Sequence, residues 1–166
     1  MKNIILIGMP GAGKSTVGVV LAKMLCKQFF DTDLLIQQGE GKKLSEIIAL
    51  VGADGFKELE GEVCSKFNEQ NCVVATGGSA VYSEKGMANL KKNAVCIYLK
   101  ADYETLTSRL GDLSKRGVVF EKGQTLADIL AERTPIYEKY ADVTVDVSHG
   151  SIERTLDTII KIKEWE

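Results

Sequence analysis

Eight residues near the start of the chain, Gly8-Met9-Pro10-Gly11-Ala12-Gly13-Lys14-Ser15, restrict its folding more than any other stretch. They follow the apolar run Ile4-Ile5-Leu6-Ile7 and precede a helical pattern over residues 14–27. Strand, glycine-rich turn and helix thus come in the order and with the spacing GxxxxGK(S/T) of a phosphate-binding P-loop. The glycines let the backbone curl until consecutive N–H groups point inward at a β-phosphate. The positive end of the following helix adds to that attraction. Lys14 is expected to reach the β- and γ-phosphates, and the Ser15 hydroxyl to ligate Mg²⁺. With Gly11, Ala12, Gly13 and Thr16 they form the expected nucleotide-holding set. A chance glycine turn is the alternative, and the correctly placed strand and helix weigh against it.

The rest of the chain shows no repeat, low-complexity tract or linker. At 166 residues it suits one domain, residues 1–166, with a single substantial core. Short β-like runs at 3–7, 28–31, 72–75, 94–99 and 143–147 alternate with helical patterns at 14–27, 44–51, 53–70, 83–92, 103–110, 126–140 and 151–166. The near-continuous hydrophobicity of the short runs predicts parallel strands buried on both faces. Alternation with helices predicts an α/β three-layer sandwich, α/β/α, with right-handed crossovers. Ligands in such sheets bind at the carboxyl ends of the strands, so polar residues just after strands carry the functional reading. The interval 111–123, glycine-bounded and charged, reads as a mobile lid or as a plain surface loop.

Charge narrows the partners. Lys and Arg total 21 against 23 Asp and Glu, a formal net charge of −2 with no long basic run, which disfavours nucleic acid. The apolar run at the N-terminus is too short for a signal peptide or membrane span. Cys26, Cys64, Cys72 and Cys96 lack CxxC spacing and read as core residues of a reduced, cytoplasmic protein. His149, beside Gly150, reads as a surface-loop residue.

Four stretches bear on chemistry. Asp31-Thr32-Asp33 closes the second strand, where two carboxylates two apart point the same way while the chain stays extended. One would approach Mg²⁺, directly or through water, and the other an acceptor hydroxyl. An N-cap for a helix at Leu34 is the structural alternative. Thr76-Gly77-Gly78-Ser79 follows the third strand, and its glycines would let a ligand lie against bare backbone. Lys57 and Glu60 share a helix face, where a solvated ion pair is the plain reading. In Arg133-Thr134-Pro135-Ile136-Tyr137, proline inside a helical pattern predicts a kink or break, which would aim Arg133 across the sheet ends or leave it structural.

Taken in order, the P-loop, the Asp31/Asp33 pair, Phe56 with Glu60, Thr76-Gly77-Gly78, Arg133-x-Pro135-x-Tyr137 and Ala141-Asp142 before a strand ending Val145-Asp146 resemble the shikimate kinases over residues 4–160. The resemblance implies a five-stranded parallel sheet in the order 2-3-1-4-5, and transfer of the ATP γ-phosphate to the 3-hydroxyl of shikimate. It implies that Lys14 and Ser15 hold phosphate and Mg²⁺, with Asp31 in the metal's outer shell. Asp33 would hold the acceptor hydroxyl and act as base; Gly77, Gly78 and Arg133 would hold the acid, Arg133 through its carboxylate. Arg116 resembles a lid arginine closing over the phosphates and Arg109 one that stacks on adenine. The loop after Asp146 resembles the adenine-binding turn, and the family implies a monomer.

Three positions depart from the family pattern. Lys57 stands where arginine is usual, and an ammonium lacks the planar fork that grips a carboxylate bidentately. Ser79 stands for a third glycine and adds a side chain beside the expected acid site. Gly117 follows the lid arginine where proline is common. The acceptor is therefore expected to be a small hydroxylated acid, shikimate first, contacted by Asp33, Lys57, Gly77, Gly78, Ser79 and Arg133. A kinase of another hydroxylated acid such as gluconate, and a non-catalytic ATP-binding regulatory module, are the alternatives. Nucleoside monophosphate kinases need more arginines than the four here, Arg109, Arg116, Arg133 and Arg154. A GTP switch would need an Asn-Lys-x-Asp sequence, which is absent.

Overall fold

The computed structural model describes residues 2–111 and 121–163, so Arg116, Gly117 and most of the expected lid lie outside the described residues. Strand β1 (Asn3–Ile7) feeds through the glycine-rich turn into helix α1 (Lys14–Met24). There follow β2 (Gln28–Asp31), α2 (Thr32–Glu40), α3 (Leu44–Lys66), β3 (Cys72–Ala75), a 3₁₀ turn (Ala80–Tyr82), α4 (Glu84–Lys91) and β4 (Ala94–Lys100). The chain closes with α5 (Tyr103–Leu110), α6 (Leu126–Tyr140), β5 (Val143–Asp146) and α7 (Ile152–Ile162). Among the described residues the strands form one five-stranded parallel sheet in the order β2-β3-β1-β4-β5. Helices cover both faces, α1 packing with α7 and α3 with α4, giving the expected three-layer sandwich.

Strand β1 lies at the sheet centre because its residues after Asn3 are apolar without interruption. Ile4, Ile5, Leu6 and Ile7 are all fully buried, and Ile5 stands between Val74 and Cys96. Burial on both faces holds for β1, β3 and most of β4. The edge strands β2 and β5 are only partly covered, because a strand with one neighbour leaves part of itself to solvent.

Helix α2 is not among the expected helical patterns; the sequence offers it only as the alternative reading of the aspartate pair. Asp31 caps it, accepting from the Asp33 N–H, but only Thr32 and Ile36 of its nine residues are buried and Leu34 is exposed, so its periodicity is faint. A small apolar cluster of Ile36, Ile47 and Phe56 seats α2 on α3 and thereby brings Phe56 and Glu60 toward the end of β3. The expected boundary at residue 52 is real in the backbone, since Gly52 (φ 73°, ψ 179°) breaks the helical path of α3. Phe67 then leaves the helix in extended conformation, and its ring meets Phe30 edge-on at 5.3 Å, which ends α3 before residue 70.

Two further expectations are corrected. Helix α6 runs through Pro135 without a break, with Thr134 Oγ1 donating to the Leu130 carbonyl at 2.6 Å. Cys64, Cys72 and Cys96 are buried as expected, but Cys26 is exposed, in the left-handed turn (φ 53°) between α1 and β2. His149 is exposed in the turn before α7, its Nε2 3.0 Å from Asp102 Oδ2. No helix among the described residues is long and apolar enough to cross a membrane.

Candidate active site

One cleft of about 580 Å³ runs across the carboxyl ends of the central strands, from the P-loop to the turn after β3. Its phosphate end is made by local chain geometry. Gly11 (φ 84°) and Gly13 (φ 94°) take left-handed conformations that residues with a Cβ rarely adopt, which turns the loop so that α1 starts at the cleft. Lys14 is buried and donates through Nζ to the carbonyls of Gly8 (2.7 Å) and Met9 (2.9 Å). Burial pushes its ammonium down to about 8 while Asp33, Glu60 and Asp31 hold it up, so it stays a cation at neutral pH.

The Asp31/Asp33 pair is arranged differently from the extended geometry expected of it. Asp31 ends β2, and Asp33 already sits in the first turn of α2. The capping reading of Asp31 is realised, and its second oxygen meets Ser15. Oδ1 accepts from the Asp33 N–H at 2.9 Å as the helix cap, and Oδ2 accepts from Ser15 Oγ at 2.6 Å. A hydroxyl and a carboxylate oxygen side by side at the start of α1 are hard oxygen donors of the kind Mg²⁺ takes, with phosphate and water filling its other positions. Among the described residues no three His, Cys, Asp or Glu side chains form a metal cage. Asp33, on the cleft wall, is pushed up to about 6, first by burial and then by Asp31, with Lys14 opposing.

Toward the far end the wall is formed by Phe56, Thr76, Gly77, Gly78, Ser79 and Arg133. Bare backbone is required at Gly77, since a Cβ there would collide with Glu60 and come within 2.7 Å of Asp33 Oδ1. Thr32 Oγ1 accepts from the Gly77 N–H at 2.9 Å, and Tyr137 donates through its hydroxyl to the Gly78 carbonyl at 2.6 Å, fixing this turn from two sides. Arg133 is buried, with its guanidinium carbon 5.5 Å from the centre of the Tyr82 ring.

A solvated Lys57–Glu60 pair is not what forms. Glu60 is fully buried and accepts from the Ser79 hydroxyl. Lys57 instead lies 4.6 Å over the Tyr82 ring, with Asp54 at 4.0 Å and Glu121 at 3.9 Å, off the wall of the main cleft. Being three apart on a helix leaves two side chains free to choose different neighbours, and here the turn after β3 claims one of them.

At the opposite end Arg109, Leu110, Val147, Gly150, Ser151, Ile152 and Thr155 line the cleft. Arg109 spans from the P-loop carbonyls of Gly11 and Ala12 (3.4 Å each) to the Val147 carbonyl (3.2 Å). Asp146 is exposed and shapes the following turn, its Oδ1 accepting from the Ser148 N–H at 2.8 Å, rather than lining the wall. Of the expected site residues the structure therefore gathers Gly11, Ala12, Gly13, Lys14, Ser15, Thr16, Asp33, Gly77, Gly78, Ser79, Arg109 and Arg133 on one cleft. Asp31 touches it through Ser15; Lys57 and Asp146 stand beside it. Thr32 and Tyr137 gain no role from sequence reasoning. Tyr137 carries a readable signal, four residues after Arg133 and so on the same helix face.

Comparison with known proteins agrees with this geometry. A family model for shikimate kinase matches residues 10–163. A shikimate kinase of Francisella tularensis subsp. holarctica is 37% identical over 162 residues, covering 95% of this chain and 92% of the relative. One of Clostridium botulinum is 36% identical over 171 residues, covering 100% and 99%. A solved shikimate kinase from Acinetobacter baumannii, in complex with shikimate, superposes with a TM-score of 0.89 at 30% identity, covering 98% of this chain and 92% of that one.

Proposed function

This chain belongs to the shikimate kinase family, and on that premise we propose how its own residues phosphorylate shikimate at the 3-hydroxyl with ATP. One observation carries the assignment of roles: Asp33 stands on the wall of a single cleft between the P-loop and the Gly77/Gly78/Arg133 end. ATP lies with its phosphates in the P-loop and its adenine toward Arg109 and the turn after β5. Shikimate occupies the other end, its carboxylate on Arg133 and its ring against Gly77 and Gly78. The shikimate 3-oxygen attacks the γ-phosphorus in line, the bond from that phosphorus to the β-phosphate oxygen breaks, and ADP leaves with the electron pair. The hydroxyl proton passes to the Asp33 carboxylate. Lys14 neutralises charge that builds on the transferring phosphoryl group, and Arg116, which lies outside the described residues, is assigned the same task on the resemblance alone.

Mg²⁺ would be held by Ser15 directly and by Asp31 through water, and when bound it screens the phosphate charges. Asp33 suits the base role, because a carboxyl near 6 is ionised at neutral pH yet basic enough to take a proton. The proposal includes a monomer in the cytoplasm, where the four free thiols stay reduced.

ADP release with Mg·ATP, measured against shikimate, quinate, gluconate and nucleoside monophosphates, tests the reading. Turnover on shikimate at micromolar to millimolar KM is expected. Inactivity on shikimate with turnover of another panel member would keep the nucleotide chemistry and overturn the acceptor. Tight Mg·ATP binding without turnover of any member would point to a regulatory module.

A further inference from the structure

Glu60 has no part in the transfer steps above, yet it is the most deeply buried carboxyl near them. No part of it is exposed, and it sits behind the wall of the cleft rather than on it. One oxygen, Oε2, accepts from the Ser79 hydroxyl; the other, Oε1, is buried without a hydrogen-bond partner and faces Gly77 beside Asp33. Ser79 itself is buried on the cleft wall, and its hydroxyl is committed backward to Glu60.

The groups that bear on Glu60 come from every side. They are Asp33 from α2, Lys14 from α1, Arg133 and Tyr137 from α6, and Cys64 one turn further along α3. A buried carboxylate is costly to ionise unless hydrogen bonds and cations compensate it. Here burial, and then Asp33, push it up to about 7, while the Ser79 hydrogen bond, Arg133 and Lys14 hold it down. Lys14 and Arg133 are themselves buried, and the Glu60 carboxyl is coupled electrostatically to both.

We propose that Ser79 is a positioning residue for the acid end of the cleft: its hydroxyl fixes the Glu60 carboxyl behind Gly77, and Glu60 in turn orients the cations that meet the acid and the phosphate. The serine that departs from the family's glycine thereby serves as an internal support and not as a contact to substrate. This inference rests on the shikimate kinase reading.

The test compares wild type, Ser79→Ala, Ser79→Thr and Glu60→Gln, after thermal melts show each to be folded. In Ser79→Ala the KM for shikimate rises about tenfold, the scale of a lost hydrogen bond to a charged group, while the KM for ATP stays within about twofold. The acidic limb of kcat/KM for shikimate moves to higher pH, because Glu60 without its donor holds its proton more tightly. Ser79→Thr restores both, and Glu60→Gln removes the Glu60 contribution to that limb. Carbon-13 NMR titration of the Glu60 carboxyl in the free protein reads the same effect without substrate, and its midpoint rises in Ser79→Ala. An unmoved Glu60 titration, or a Ser79→Ala enzyme with wild-type KM and pH profile, overturns the proposal. Failure of the wild type to phosphorylate shikimate would instead overturn the reading beneath it, while the titration still decides the Ser79–Glu60 link.

Discussion

At the phosphate end of the cleft, six consecutive residues, 11–16, supply wall, cation and hydroxyl from one turn and one helix start. The acid end draws Asp33 from α2, Phe56 from α3, Gly77, Gly78 and Ser79 from the turn after β3, and Arg133 from α6. The first is backbone-built and its geometry follows from glycines at fixed spacing. The second exists only once four distant segments have packed. A backbone-built site tolerates side-chain drift and keeps its chemistry, whereas a side-chain site is retuned by single replacements. The three departures from the family pattern fall accordingly: none lies in the P-loop, and Lys57 and Ser79 both lie at or beside the acid end.

The largest effect should come from the phosphate end. Lys14→Ala removes the buried cation proposed to meet the transferring phosphoryl group, and kcat should fall by about 10³-fold or more. Single-turnover ADP formation checks this, and retention of a tenth of wild-type turnover would mean that the backbone alone does the work.

Asp33→Asn comes next and separates chemistry from binding. Turnover should fall by about 10²–10⁴-fold as the proposed proton acceptor is lost, with Mg·ATP affinity nearly unchanged. The same variant should be more stable than wild type at neutral pH. Asp33 is pushed up to about 6 in the folded protein, against 3.8 for the free side chain. The native state therefore holds this proton more tightly than the unfolded chain, and ionising it costs stability. That cost is absent below pH ~4, grows between pH ~4 and ~6, and is complete above ~6. Asparagine removes it, so the Asp33→Asn protein should gain on the order of 1–2 kcal/mol at pH 7–8 and nothing at pH 4. Denaturant melts across that range decide it, and a constant difference at all pH values would show that Asp33 is not strained by its surroundings.

The same contrast explains what can be read from the chain unaided. Strands β1 and β3, the sheet class and the P-loop are legible because their signals are local: an apolar run, and glycines a fixed distance from a lysine. Helix α2 is not, because its stability comes from the Asp31 cap and one buried isoleucine and not from a full apolar face. Arg133 and Gly78 are paired only through an ordered set of motifs, since nothing near either residue in the chain says that they meet. Glu60 is misread because helix spacing identifies a same-face neighbour, Lys57, but not the serine 19 residues on that captures it across the fold. Pro135 misleads for the opposite reason: a local rule allows a break, and α6 runs on through it from Leu126 to Tyr140.

Lys57 gives the smallest and sharpest test of the acid end. Its ammonium lies over Tyr82 and near Asp54 and Glu121, facing the second, shallower cleft beside α3. At these distances, and with both carboxylates well exposed, the ion pairs contribute little. The side chain is therefore easily redirected when an anionic acid enters next door. As a point charge it would offer that acid attraction without orientation. Lys57→Arg restores a planar fork that can take a carboxylate bidentately while still stacking on the Tyr82 ring. The KM for shikimate should fall by about three- to tenfold, the low end of what a charged hydrogen bond contributes, with kcat and the KM for ATP within about twofold. Steady-state kinetics with each substrate varied in turn separates the two ends. A lower KM for shikimate alone would place Lys57 at the acid end in the working enzyme. An unchanged value would mean that the guanidinium of Arg133 already holds the carboxylate by itself, and that the lysine belongs to the surface pairing of α3 with the segment around Glu121.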